Sequence, residues 1–174
     1  MNATEAIKRR SSTRGYTAEA LTEAEIEALV HAGLQAPTAT NRQELHFTVL
    51  KEGNELLKEI EDEKNRLWNT SPAQNFYYSA PLVIIISAES AFKWSPVDAG
   101  IAVENIAIAA EDLGLGNVII GCIYDALRGE KKEYFGEALG FPEGYEYEIA
   151  IAVGHKAAEK EPHTYDVSTQ VTYL

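Results

Sequence analysis

Cysteine is all but missing from this chain, with Cys122 the only one in 174 residues. A lone cysteine cannot close an internal disulfide, and no zinc-ligand spacing accompanies it, so the core alone must hold the fold. Long apolar runs are missing too. Leu82 to Ile86 is five residues, where a bilayer-spanning helix takes about 20. The N-terminal MNATEAIKRRSSTRGY lacks the apolar stretch of a secretory signal. These absences predict a cytoplasmic protein with no membrane partner. Positive charge is also scarce: 15 Lys+Arg against 27 Asp+Glu leave a net charge of −12, which excludes nucleic acid as a partner by long-range repulsion.

Common catalytic signatures fail one by one. Gly114-Leu115-Gly116 opens like a dinucleotide fingerprint, but Ile119 stands where the third glycine belongs, and the order runs helix to strand. No GxxxxGK[ST], GxSxG or HExxH occurs, and His31, His46, His155 and His163 are too scattered for a metal site. Cys122 has no flanking histidine or basic residue and reads as an ordinary apolar side chain. The carboxylates are numerous, yet no pair stands out for acid/base work.

What is present suits one domain. The chain is 45% hydrophobic and 24% charged, and at this length a domain buries roughly 70% of its unfolded surface. No repeat or linker divides residues 1–174, although 155–174 reads as a polar tail ending in the β-prone Val171-Thr172-Tyr173-Leu174. A short helix is expected over 3–9, with Gly15 helping to stop it. A second begins at Thr22, where Glu25 completes a capping box, and runs to Leu34. His46 to Lys51 alternates as a strand, and 54–66 reads as an exposed, charged helix. Residues 68–80 read as a mobile connection. Leu82 to Ile86 predicts a strand covered on both faces and central in its sheet. From Val97 to Leu113 the polar Asp98, Glu104, Asn105, Glu111 and Asp112 form a narrow stripe on an otherwise apolar helix, which fits burial in a domain or a subunit interface. A strand over 117–121, a helix over 130–139 and a strand over 147–153 complete the reading.

Charge is unevenly placed. Residues 1–16 carry four basic groups and one acid, a balance of +3, and the rest of the chain carries −15. Within this end, Arg10-Ser11-Ser12-Thr13-Arg14 offers two guanidinium forks and three hydroxyls, suited to a phosphate monoester and the polar edge of a ring. Ala36-Pro37-Thr38-Ala39-Thr40-Asn41-Arg42-Gln43 is a loop of small side chains through which backbone can approach a flat ligand. Each also reads as turn and cap chemistry when taken alone.

Together these segments resemble the nitroreductase family: Arg10-x-Ser12-x-Arg14 with Tyr16, then Ala36-Pro37-Thr38-x-x-Asn41-x-Gln43 leading into His46-Phe47-Thr48-Val49. The resemblance continues through Asp98-Ala99-Gly100 to Gly114-Leu115-Gly116, and through Leu139 to Tyr145 and Val153-Gly154. It implies an α+β fold with a mostly antiparallel sheet, an intertwined homodimer, and FMN bound between subunits. Arg10, Ser11 and Ser12 are then implied at the phosphate and ribityl chain, and Arg14 at the N1–C2 carbonyl edge. Pro37, Thr38, Ala39, Asn41 and Gln43 are implied from the other subunit, and Ile120-Gly121 against the ring. NADH or NADPH is the implied donor and a small molecule such as a nitroaromatic or quinone the acceptor, in ping-pong order without a side-chain catalyst.

Two departures stand out. Gln43-Glu44-Leu45 replaces the Gln-Pro-Trp of many members, and the basic residue that completes the phosphate site is represented by Lys156, Lys160 or His163, which the sequence leaves open. FMN storage or sensing without efficient turnover, reductive dehalogenation and flavin fragmentation remain the other functions this resemblance accommodates.

Overall fold

The computed structural model describes residues 1–174. Its helices are α1 (Ala3–Arg9), α2 (Glu23–Leu34), α3 (Glu55–Trp68), α4 (Ser95–Asp112), α5 (Tyr124–Arg128), α6 (Lys132–Ala138) and α7 (Val167–Gln170). The strands are β1 (His46–Lys51), β2 (Leu82–Glu89), β3 (Gly116–Ile120) and β4 (Tyr145–Gly154), and they form one sheet in the order β1-β2-β4-β3. Every pairing is antiparallel, with Val49 opposite Ile84, Ile84 opposite Ile151 and Ile151 opposite Ile119.

The two central strands are apolar on both faces because both faces are covered. Val83 and Ile85 of β2, with Ala150 and Ala152 of β4, meet Leu57 and Ile60 of α3 and Leu127 and Phe135 of α5 and α6. Leu82, Ile84 and Ile86, with Ile151 and Val153, face the other way onto Leu29 of α2 and Ala102, Val103 and Ile106 of α4. Successive side chains point to opposite faces, so a doubly covered strand needs an uninterrupted apolar run.

The expected elements are present with adjusted ends. Thr22 caps α2 as a full capping box, its hydroxyl accepting from the Glu25 N–H while the Glu25 carboxylate accepts from the Thr22 N–H at 2.7 Å. Gly15 does not stop α1; the backbone turns extended already at Arg10. The charged α3 is less exposed than its composition suggests, since Leu57, Ile60, Glu63 and Lys64 are buried. Residues 69–81 contain no regular element, but Phe76 is buried and its N–H donates to Glu61. The tail beyond Lys156 is exposed throughout, and Val171–Leu174 pairs with no strand of its own chain.

The polar stripe expected on α4 divides. Glu104 and Asp112 face solvent, whereas Asp98 and Glu111 are buried. What α4 exposes instead is partly apolar: Val97 and Ile101 are exposed and Ile108 half-buried, spaced i, i+4, i+11 along one face. No helix is long and apolar enough to cross a membrane.

Charges tie α3 to the turn before α6. Glu63 has its side chain 2% exposed, with Arg66 at 2.7 Å and Lys131 at 2.7 Å. Hydrogen bonds from Arg66 and Lys131 lower its carboxyl to about 2. An acid depressed by folding contributes stability above its unfolded value that is lost as pH falls toward the folded one. Urea unfolding should therefore show stability dropping between about pH 4.5 and pH 2 in the native chain. Glu63→Gln should flatten that drop and cost about 1 kcal/mol at neutral pH, since both partners are half-exposed; equal acid sensitivity in both proteins would refute the assignment.

Candidate functional site

After α1 the chain runs extended along the open edge of β3. Ser12 pairs with Asn117 in parallel register, and the Thr13 N–H donates to the Asn117 carbonyl at 2.7 Å. Tyr16 then pairs with Lys156, and the Thr17 N–H donates to His155. Close approach here depends on two glycines. A Cβ on Gly116 would lie 2.7 Å from the Thr13 Oγ1 and 2.8 Å from the Lys156 Cγ; one on Gly154 would lie 2.5 Å from Pro81 and 2.9 Å from Tyr16. Tyr16 donates its hydroxyl to the Thr13 carbonyl, and burial pushes that phenol up.

The basic groups of this segment have different commitments. Lys156, 11% exposed, donates to the buried Glu111 at 3.0 Å, and Arg9 approaches the same carboxylate at 3.4 Å. Arg10 lies 3.9 Å from Glu104. Arg14 is exposed and pairs with no acid; its guanidinium lies over the Tyr78 ring at 5.8 Å. Ser11 and Ser12 are half-buried between them. Lys156 is thus bound to Glu111, while Lys160 and His163 stand on the exposed tail, whose Ala157 N–H donates to the Gly15 carbonyl.

The second segment lies elsewhere. Pro37 and Thr38 lead into a single 3-10 turn over Ala39–Asn41, with Thr40, Asn41 and Gln43 all at positive φ, near 55°. Three non-glycine residues in the left-handed region are held by local bonds. The Ala39 N–H donates to the Asp98 Oδ2 at 2.9 Å, and the Gln43 N–H donates to the Thr38 hydroxyl at 2.9 Å. The Gln43 side chain donates to Asn41, and Arg42 pairs with Glu89 while lying over the Phe92 ring. Beneath the turn, Glu44 is 6% exposed with neither carboxylate oxygen engaged by a donor. Asp98 stands beside it, and burial pushes the Glu44 carboxyl up. The two carboxyls are neighbours although 54 positions apart in the chain, so no local spacing could signal them.

The two segments do not meet within one chain. One lies outside β3 and the other feeds β1, at opposite sheet edges; four strand spacings of about 4.8 Å separate them by roughly 19 Å. Helix α4 gives the same measure, since Asp98 holds one segment and Glu111 the other, 13 residues or about 20 Å apart. Ile120 is buried in the core and its carbonyl accepts from Tyr147, so it presents no side chain to a ligand. Gly121 is exposed, with open space where a Cβ would stand. Cys122 is half-buried and burial pushes its thiol up, in keeping with an inert side chain.

The nitroreductase family model matches residues 7–155. The chain belongs to the nitroreductase family. It is 30% identical over 163 residues to an NADH dehydrogenase/NAD(P)H nitroreductase assignment in Archaeoglobus fulgidus, covering 89% of this chain and 86% of that one. It is 27% identical to the FMN reductase [NAD(P)H] of Bacillus subtilis, covering 94% and 71%. A crystal structure of a nitroreductase with bound FMN from Desulfitobacterium hafniense superimposes with a TM-score of 0.89 at 31% identity, covering 100% of this chain and 99% of that one. These relatives agree with the α+β, antiparallel architecture expected from the sequence.

Glu111 is the keystone of the first segment. Glu111→Gln leaves the Lys156 ammonium with only the exposed Glu159, 3.5 Å away, as its countercharge, and should destabilise the fold by about 2 kcal/mol in urea unfolding. Gly116→Ala should instead displace Thr13, costing about 1–3 kcal/mol. Native-like stability in both variants would remove the segment's dependence on this corner.

Proposed function

We propose that two copies of this chain form a homodimer with two equivalent FMN sites, and that the dimer is an NAD(P)H-dependent oxidoreductase. The observation that carries this reading is the separation of the two ligand-competent segments in a single chain. A second copy, related by a two-fold axis, can bring the 37–43 loop of one protomer against Arg10–Arg14 of the other. The exposed Val97 and Ile101 and the half-buried Ile108 of α4, with Ile7 and Leu34 exposed on α1 and α2, offer an apolar face for the association.

The donor set fits FMN. Arg10, Ser11 and Ser12 would hold the phosphate and ribityl chain through charge-assisted hydrogen bonds. Arg14, which has no carboxylate partner, would hold a fixed positive charge at the N1–C2 carbonyl edge, and Gly121 would let the ring approach the end of β3. Pro37, Thr38, Ala39, Asn41 and Gln43 of the second copy would close the other side. Lys160 and His163 are free to reach the phosphate from the exposed tail. The bound FMN supplies the redox chemistry, accepting reducing equivalents from NADH or NADPH and passing them on. Since the chain has no separate nucleotide fold, donor and acceptor would occupy one cleft in turn, giving ping-pong kinetics with a nitroaromatic or quinone as acceptor. The whole chain acts as one domain in a reducing, cytoplasmic setting.

Anaerobic mixing of the purified protein with NADH or NADPH should bleach the flavin's visible absorbance, with reoxidation on adding the acceptor. Flavin that co-purifies but is bleached by neither nucleotide would overturn the reductase reading. Arg10→Ala should weaken FMN binding by about 1.5–3 kcal/mol with the fold retained. Mixed dimers of Arg10→Ala with Asn41→Ala provide the test in trans: both defects fall in one site, so each heterodimer should regain one tight FMN site. No recovery would exclude a site built from two subunits.

A further inference from the structure

The strongest unexplained feature outside the FMN-facing groups is the Glu44 carboxyl. It is 6% exposed, both of its oxygens lack a donor, and the equally buried Asp98 lies beside it. Two adjacent carboxylates cannot both be ionised out of water, and a hydrogen bond between them requires a proton, because neither donates when charged. Asp98 is already committed on one side, with its Oδ2 accepting the Ala39 N–H of the left-handed turn. The charged groups facing Glu44 are Asp98 from α4 and Arg42 from its own loop. Arg42, drawn outward by Glu89 of β2 and by the Phe92 ring, and the Glu44 backbone N–H offset the pair only in part, and burial and Asp98 prevail.

We propose that Glu44 and Asp98 share a single proton at the root of the 37–43 loop, and that this proton holds the loop in its ligand-facing conformation. Glu44 is therefore a positioning residue, acting on a ligand only through the loop. The pair joins two elements: Asp98 belongs to the first turn of α4, and Glu44 links the strained turn to β1. Losing the proton sets two negative charges against each other beneath three residues at positive φ, and the turn loses its anchor. Burial supports the direction, since it pushes the Glu44 carboxyl up from its ordinary 4.5. For an acid raised by folding, the clamp is complete below the ordinary value and is lost as pH rises through the raised one.

Only the identity of the ligand that the loop faces rests on the FMN reading, and the experiment separates the two. Hydrogen exchange of the Ala39–Gln43 amides, corrected for intrinsic exchange, should show protection falling about tenfold in the native protein as pH rises from the ordinary carboxyl value of 4.5 to about pH 9. Glu44→Gln should hold protection constant over that range. Asp98→Asn, whose amide can donate to Glu44 while its carbonyl accepts from Ala39, should flatten the profile too, and serves if Glu44→Gln does not fold. FMN affinity should follow the same difference between native protein and variant, the ionisation of the FMN phosphate being common to both. A native profile without the fall, or a variant with the same fall, overturns the shared proton. A fall in protection with no matching difference in FMN affinity upholds the shared proton and overturns the loop as an FMN contact.

Discussion

Everything in this molecule is arranged around two strands that have no exposed face. β2 and β4 pair along their length, with α2 and α4 on one side and α3, α5 and α6 on the other. Burial of that kind leaves no room for polar chemistry at the centre, so the ligand-competent segments are pushed to the edges beside β1 and β3. The distance from β1 to the segment outside β3 is then fixed by the sheet at roughly 19 Å. Within one chain the two segments stay apart.

Helix α4 makes the arrangement rigid. Its 18 residues present Asp98 in the first turn and Glu111 in the last full turn, and each buried carboxylate holds one of the two segments. Asp98 accepts the Ala39 N–H and sits against Glu44; Glu111 gathers Lys156 and Arg9 behind Thr13. The helix therefore works as a spacer between two anchoring acids, while its exposed Val97–Ile101–Ile108 face lies between them. Sheet and helix impose the same separation, so the half-sites are positioned by the best-packed part of the chain.

Local physics was legible wherever it decided the outcome locally. The Thr22–Glu25 capping box, α1 and the six residues of β1 are where side-chain chemistry and alternation put them. β2 extends past its apolar run through Ser87–Glu89, because Tyr145 and Tyr147 of β4 pair with those positions beyond an irregularity at Ile86/Ser87. Helices of four and five residues, α7 and α5, are too short to show a period. In the site, the segments Arg10–Arg14 and Pro37–Gln43 could be picked out by residue type, but not what each side chain is committed to. Asp98 and Glu111 read as members of one polar stripe with Glu104, Asn105 and Asp112, and which of these are buried is set by loops distant in sequence. Ile120 was expected against a ring and lies instead in the core, a distinction that depends on which face of β3 is covered.

Charge illustrates the same limit. The +3 balance of residues 1–16 suggests four basic groups ready for an anion, with Lys156 as a fifth. In the folded chain, Glu111 takes up Lys156 and Arg9, and Glu104 stands near Arg10. Arg14, like the exposed Lys8 of α1, has no acidic partner. The segment's strength as an anion site is accordingly set by the acids of α4 as much as by its own arginines. Glu111 is nearly inaccessible and its contribution is fixed, whereas Glu104 is half-exposed and 3.9 Å from Arg10, a separation at which water screens most of the attraction. The Arg10 guanidinium is accordingly held only loosely by Glu104. The chain keeps its buried cations neutralised for stability and leaves the exposed pair weakly held for a ligand.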